Sequence, residues 1–335
     1  MASKVYFADL RADVHENLQQ KLTRLMKTAG MGDIDFQDKF VAIKLHFGEP
    51  GNLAFLRPNW ARTVADFVKE RGGKPFLTDC NTLYVGGRKN ALDHMDSAML
   101  NGFNPMTTGC QIIIADGLKG SDEVEVPVVG GEYVRNAKIG RAVMDADVFI
   151  SLTHFKGHEE AGFGGCLKNI GMGCGSRAGK MEQHNAGKPH VAQKHCIGCG
   201  QCRKICAHGA PIIENVKAHI DHDKCVGCGR CIAVCPKNAV QINWDETTIN
   251  PEPEDCRVHQ GGGGRPPLFP HLAGHRRVPQ LRLPSRERHG HRAQRGHVRL
   301  LRPGGAGYGL CGRRQRPDAP AGLRRRWCAR QGPCA

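Results

Sequence analysis

The sequence predicts an α/β protein: a domain built on a mostly parallel sheet, a small α+β module inserted into it, and a disordered tail. Three observations carry this expectation. Over the first 155 residues, short apolar runs alternate with segments of helical period, the pattern of a parallel sheet with crossover helices. Sixteen cysteines are present, eight of them between residues 196 and 235. After residue 256 the composition changes abruptly, and the last 79 residues contain no Lys, Ile, Asn or Met. The expected divisions are 1–189 for the α/β domain, 190–246 for the cysteine-rich module and 247–335 for linker and tail.

The elements follow in order. Residues 4–10 read as a strand, and 14–28 as a helix with Leu18, Leu22 and Met26 on one face. The strongly apolar run 40–47 has the composition of a buried parallel strand. Residues 58–73 open on Pro58 and close on Gly72-Gly73, the usual punctuation of a helix. A strand over 74–80, a helix over 88–101 and a strand over 111–116 continue the series. Residues 123–139 read as a hairpin turning at Gly130-Gly131. A strand over 147–155 closes it.

Charge is divided as sharply as composition. The chain carries a formal net charge of +16, and residues 257–335, with 18 arginines, no lysine and the two acids Glu287 and Asp318, account for all of it. Residues 1–256 are neutral. The beginning of the chain has no apolar stretch of signal-peptide length, and no run approaches the ~18 apolar residues of a membrane span. Cysteines in such a chain are expected to ligate metals or clusters rather than form disulfides. The cytoplasm is the expected compartment, with no membrane partner.

The strongest signal is a duplicated motif. Cys196, Cys199, Cys202 and Cys206 repeat the spacing C-x2-C-x2-C-x3-C found in Cys225, Cys228, Cys231 and Cys235, the last followed by Pro236. Three thiolates within seven residues wrap three corners of an iron–sulfur cubane, and the next turn carries the fourth to the other cluster. The expected ligand sets are therefore Cys196, Cys199, Cys202 and Cys235 for one [4Fe–4S] cluster, and Cys225, Cys228, Cys231 and Cys206 for a second. Gly198, Gly200, Gly227 and Gly229 suit tight loops that turn backbone N–H groups toward sulfur. Structural zinc, the competing reading, uses two separated C-x2-C pairs and leaves the extra thiols unexplained.

A glycine-rich segment, 153–184, precedes the module. It has neither the phosphate loop of nucleotide hydrolases nor the dinucleotide fingerprint. Its Gly-rich turn leads into an expected helix at Cys166, with Lys168 near an N-terminus that would favour an anion. Lys44, His46 and Glu49 end the second strand, Asp79, Cys80 and Asn81 the third, and His154 and Lys156 the last. The carboxyl ends of parallel strands line the ligand crevice of such sheets. His46, Asp79, His154, Lys156 and Lys168 are thus candidate catalytic residues around a small anionic substrate; the alternative is that the histidines are satisfied polar residues and the glycines only make turns. Cys80, Cys110, Cys166 and Cys174 are expected to be buried thiols, with Cys166 and Cys174 as alternative ligands for a further metal.

Together these stretches resemble the iron–sulfur-centre proteins of the domain-of-unknown-function 362 family over residues 3 to about 250. The module is similar to the bacterial two-cluster ferredoxin, with Ala207 where that module often has proline. Gly164 to Lys168 loosely resembles the Gly-rich lysine loop of nickel-dependent lactate racemases. The resemblance implies cluster binding with single-electron transfer at low potential, to a redox partner protein or to a substrate in the crevice; whether the chain is an enzyme, an oxidoreductase, stays open.

The tail invites a nucleic-acid reading, since 18 arginines bind phosphates. Its composition argues otherwise. The missing types use A/T-rich codons, and the abundant Arg, Gly, Pro and Ala use G/C-rich ones. Read one base over, residues 278–290 permit Ser-Pro-Asn-Cys-Asp-Cys-His-Pro-Glu-Asn-Asp-Met, which resembles the C-terminal part of the same family. A change of frame near residues 254–257 is therefore expected, with a tail that is extended or weakly packed and a sheet short of its final elements.

Overall fold

The structure is a computed structural model. It describes residues 5–128, 134–158, 162–183 and 188–242, without the side chains of 158, 162 and 163, and the backbone of 280–284 and 298–301.

Strand β1 (Val5–Ala8) leads to helix α1 (Leu18–Thr28), which begins later than its periodicity suggests because Asn17 and Gln20 form a capping box. Strand β2 (Phe40–Lys44) is followed by α2 (Pro58–Lys69), and β3 (Lys74–Asp79) by α3 (Ala91–Leu100), capped by Asn90. A single turn, α4 (Pro105–Thr108), precedes β4 (Gln111–Ile114). The expected hairpin is β5 (Glu123–Pro127) with β6 (Asn136–Gly140); its Gly130-Gly131 turn lies outside the described residues. Then come α5 (Arg141–Met144), the long strand β7 (Val148–His158), β8 (Gly162–Gly164), α6 (Cys166–Cys174) and α7 (Arg177–Gln183).

The main sheet centres on β7-β2-β3-β4, all parallel. Alternation of side chains along its strands builds two cores. Val41, Ile43, Leu77, Val148 and Ile150 pack on one face against Leu22, Leu25 and Met26 of α1 and Val64, Phe67 and Val68 of α2. Ala42, Phe76 and Phe149 pack on the other face against Val126, Ala137 and Ile139 of the hairpin and Ile170 and Cys174 of α6. The sheet is covered on both faces, which is why its strands read as continuous apolar runs.

The cysteine-rich module follows: β9 (Pro189–Val191), α8 (Gln201–Ile205), β10 (Pro211–Glu214), β11 (Lys217–Ile220), α9 (Arg230–Val234) and β12 (Val240–Ile242). Strand β10 pairs with β11 and β9 with β12, both antiparallel. A third core joins Cys196, Cys202, Cys231, Cys235, Ile232 and Val240 to Leu83 and Met181 of the α/β domain.

The described part of the tail forms β13 (Gln280–Pro284) and β14 (Val298–Leu301). These segments are extended, as expected, and they are also paired. Strand β13 lies parallel to β7, and β14 runs antiparallel between β13 and β1. This corrects the expectation that the sheet ends at β7. Strand pairing uses backbone groups, and a local Gln-Leu-Arg-Leu alternation suffices where the wider composition offers no core pattern. The rest of 243–335 lies outside the described residues, as does its nucleic-acid reading.

Candidate iron–sulfur centre and the adjoining crevice

Each half of the module is a glycine loop followed by one short helix. Gly198, Gly200, Gly227 and Gly229 all have positive φ, from 65° to 74°. At Gly198 the requirement is strict, because a Cβ there would stand 2.5 Å from the Val216 carbonyl oxygen. Such loops let three closely spaced thiols turn to one side.

The thiols surround two cavities. One is lined by Cys196, Cys199, Cys202 and Cys235. The other is lined by Cys206, Cys225, Cys228 and Cys231. Each cavity takes three thiols from one motif and the last from the other. Among the described residues, no three His, Cys, Asp or Glu side chains converge on a point suited to a single metal ion. Backbone N–H groups are directed at sulfur: Ala218 donates to Cys196 Sγ at 3.3 Å and Ala239 to Cys235 Sγ at 3.1 Å. Soft thiol donors grouped in fours and N–H···S bonds fit a [4Fe–4S] group.

The module is fastened to the α/β domain at residues that sequence reasoning missed as functional. Lys89 Nζ donates to the Cys235 carbonyl at 3.1 Å and to Asn238 Oδ1 at 2.5 Å. Arg177, fully buried, donates to the carbonyls of Thr82 (2.8 Å), Lys119 (3.3 Å) and Lys89. Its stem lies so close to Gly229 that a Cβ there would meet Cδ at 2.8 Å. Burial lowers the Arg177 pKa, opposed by the nearby Asp116 carboxylate and the Cys231 and Cys228 thiols. Behind it, Asp116 accepts from the Asn81 backbone at 2.9 Å and from Asn81 Nδ2 at 2.8 Å. Burial raises its carboxyl to about 6, against the pull of Lys180.

The crevice lies where strand order reverses, between β2 and β7, as ligand crevices of parallel sheets do. Lys44 ends β2, wholly buried, with Nζ 3.0 Å from Asp79 Oδ1 and 2.9 Å from Asn169 Oδ1. The ammonium passes over Gly173 of α6, where a Cβ would stand 2.6 Å from Nζ. Asn169 Nδ2 donates to Ser151 Oγ and Thr153 Oγ1, each at 2.9 Å. Asp79 also faces Arg88 at 3.3 Å and His94 at 3.7 Å, and Arg88 bonds Glu49 at 2.7 Å. Burial alone would raise the Asp79 carboxyl, but Lys44, His94 and Arg88 hold it well below its usual range. Of the five candidates, Asp79 is therefore a buried anchor and a poor base, a role its position in sequence did not reveal.

The other candidates form the rim. The His46 and His154 rings meet edge-on with centroids 5.9 Å apart. Burial, with the Arg88 charge, lowers the His46 pKa well below its ordinary value, and burial with Lys156 and Lys44 lowers His154 to about 4. His46 Nδ1 accepts from the Gly48 N–H at 3.0 Å, so its neutral tautomer carries the proton on Nε2. The stems of Lys156 and Lys168 flank Gly164, whose Cβ would lie 3.4 Å from Lys156 Cγ and 3.9 Å from Lys168 Cδ. Arg88 and Asn169 were missed because their partners are far away in sequence. The other four described thiols are structural where geometry is clear. Cys80 bonds the Cys174 carbonyl at 3.3 Å, and burial raises Cys110 to about 11 and Cys174 to about 12.

Residues 41–233, more than half of the chain, match the family model described as a domain of unknown function, DUF362. The chain belongs to the DUF362 family. A second model, a 4Fe-4S dicluster domain, matches residues 217–261, which include the Cys225–Cys235 motif. This DUF362 protein is thus a [4Fe–4S] iron–sulfur protein of the electron-transfer kind. A thylakoid-associated protein of Synechocystis sp. (strain ATCC 27184 / PCC 6803 / Kazusa) is 27% identical over 164 residues, 45% of this chain and 44% of that one. The chain therefore matches less than half the length of that curated relative. A crystal structure of a Thermotoga maritima protein has a TM-score of 0.45 at 11% identity, over 87% of this chain and 56% of the other. The apoprotein of the lactate racemase of Thermoanaerobacterium thermosaccharolyticum has a TM-score of 0.33 at 13% identity, over 69% and 45%. No helix among the described residues of the DUF362 protein is long and apolar enough to cross a membrane.

Proposed function

We propose that this DUF362 protein holds two [4Fe–4S] clusters and passes single electrons at low potential. The first would be held by Cys196, Cys199, Cys202 and Cys235, the second by Cys206, Cys225, Cys228 and Cys231. The observation that carries this reading is the crossed partition of the eight thiols between two cavities. Bound clusters supply reversible one-electron storage. The protein's part is to exclude water, to present the Ala218 and Ala239 N–H groups to sulfur, and to hold the module through Lys89 and through the Arg177 stem packed on Gly229. Anaerobic reconstitution tests it. About eight iron and eight sulfide per chain are expected, with an EPR spectrum of two interacting reduced centres. Four iron, or zinc in place of iron, contradicts it.

A second reading, a redox enzyme acting on a small anion, has a specific support. The segment after β3 joins crevice to module, with Asp79 and Arg88 at one end and Leu83 and Lys89 against the cysteine core at the other. His46 and His154 would give a neutral polar rim, and Lys156 and Lys168 positive charge. Changing His154 and Lys168 together should abolish turnover with a reduced donor while iron content stays constant. Unchanged turnover in that variant removes this reading. Binding of nucleic acid through the tail is the reading with least support, since the arginines coincide with the expected change of frame. Resequencing the locus tests that; one uninterrupted frame refutes it.

A further inference from the structure

The module's surface is unlike its interior. Residues 188–242 hold eight Lys and Arg against three Asp and Glu, although residues 1–256 as a whole are neutral. Of the eight motif cysteines, Cys199 is the exposed one. Around it, Lys194, Arg203, Lys204, Lys217 and Lys237 are all exposed, and Glu214 is the nearby acid. The other cavity has its own exposed Val226 (61%) and Arg230, but there Arg177 of the α/β domain packs on Gly229, and Lys224 is paired with Asp221 at 2.7 Å.

Beside Cys199 stand two exposed apolar side chains, Ile197 (54%) and Val216 (73%). Val216 occupies the second position of a two-residue hairpin turn between β10 and β11, with φ of 59° after Asn215 at 48°. Turns of this kind favour Asn-Gly, and a β-branched residue at positive φ is an outlier. The turn lies against Gly198, where a Cβ would stand 2.5 Å from the Val216 carbonyl oxygen and 3.1 Å from Val216 Cγ1. The rest of the valine side chain is turned to solvent. Backbone held in a sparsely populated region is a reason to look for function.

We propose that this face is the docking surface for a small acidic one-electron carrier protein, with Ile197 and Val216 as apolar contacts inside a rim of Lys194, Arg203, Lys204, Lys217 and Lys237. It rests on the cluster reading above and adds where the electron crosses and to what kind of partner. Small apolar centres with charged rims suit brief redox encounters, in which complementary charge sets the association rate more than the affinity. A bound carrier would sit over Cys199, the exposed thiol of the first cavity.

The test uses the full reconstituted chain reduced with dithionite, and follows electron transfer to cytochrome b5, an acidic acceptor, and to cytochrome c, a basic one. Transfer to cytochrome b5 should be the faster at low salt and should slow as salt rises, while transfer to cytochrome c should not. Changing Lys194, Arg203 and Lys204 together to Glu should slow cytochrome b5 by about tenfold or more, with iron content and EPR unchanged. Val216→Gly should slow it severalfold with an equal or higher melting temperature, which a merely structural valine would not produce. Rates indifferent to salt and to the triple change overturn the proposal. So does binding to phosphatidylserine vesicles that the triple change abolishes while cytochrome b5 transfer is untouched, since the face would then meet a membrane. Iron and EPR on the same samples separate the two claims. Loss of the expected iron in the unmodified protein refutes the clusters, whereas full clusters with salt-independent transfer refute the docking face.

Discussion

The module and the crevice are both dense in reactive side chains, but they spend them differently. In the module, thiols stand around two cavities, and the backbone turns N–H groups toward them. In the crevice, charge answers charge: Lys44 and Arg88 are matched by Asp79 and Glu49, and Asn169 ties the ammonium to Ser151 and Thr153. A donor set arranged around space is built for a ligand, whereas a network closed on itself holds strand ends in register. Beside that network, the His46 and His154 rings meet edge-on and the stems of Lys156 and Lys168 flank Gly164. The difference teaches that local polar density is a poor guide to a site unless one asks what the groups already hold.

The comparison can be broken at the seam between the two regions. Removing Arg177 leaves the carbonyls of Thr82, Lys119 and Lys89 without their donor and takes one of two cations, Lys180 being the other, from the Asp116 carboxylate. Arg177→Ala should cost on the order of 3–5 kcal/mol. The melting temperature should fall and proteases should cut the chain between residues 183 and 196. A variant as protease-resistant as the unmodified chain would show that the module is held elsewhere.

Asp116 gives a pH-dependent effect of the next size. Its folded pKa, about 6, lies above its ordinary value of 3.8, so the folded state binds the proton more tightly. That contribution is fully present below pH ~4 and is lost as pH rises through 6, where an ionised, buried carboxylate remains. Asp116→Asn should therefore raise stability relative to the unmodified chain at pH 8 by up to about 3 kcal/mol, with the gap closing toward pH 4. Melting temperatures across that range check the sign; an equal gap at both ends contradicts it.

Gly198→Ala should act more locally. The left-handed conformation costs alanine about 1–2 kcal/mol, and its Cβ would press on the Val216 carbonyl. Iron bound at the first cavity should fall while the second keeps its share. The smallest effect is expected at the crevice rim: His154→Gln with Lys168→Ala should leave iron content within error of the unmodified chain. Loss of iron there would mean that the two regions are not separable.

The same contrast explains what was legible in the sequence. Cubane ligation leaves its mark as a short repeated spacing, because three ligands must come from one loop, so the 4Fe-4S character of the module could be read by counting, in agreement with the dicluster model over residues 217–261. The strands β2, β3, β4 and β7 were legible as short apolar runs, such as Val41-Ala42-Ile43, Ile112-Ile113-Ile114 and Val148-Phe149-Ile150, set between helical segments. The structure does bring Lys44, Asp79, His46 and His154 together at the strand ends, but no spacing showed their internal pairing. That Asp79 is an anchor depends on Arg88, His94 and Lys44 arriving from other elements, and no spacing encodes that. Nothing local singles out Arg177; its importance comes from Gly229, more than fifty residues later. Strands β13 and β14 escaped because backbone pairing to β7 and β1 leaves almost no compositional trace.

The central claim is that ligands are shared across the two motifs. It is tested most directly by iron counts on two quadruple-alanine variants, reconstituted side by side. One replaces the cavity set, Cys196, Cys199, Cys202 and Cys235. The other replaces the motif set, Cys196, Cys199, Cys202 and Cys206. Crossed ligation predicts that the first variant keeps one complete cluster, with about four iron and a single reduced-centre EPR signal. The second should keep no complete cluster, having lost one ligand of the remaining set. A motif-set variant that retains an intact four-iron cluster would contradict the account.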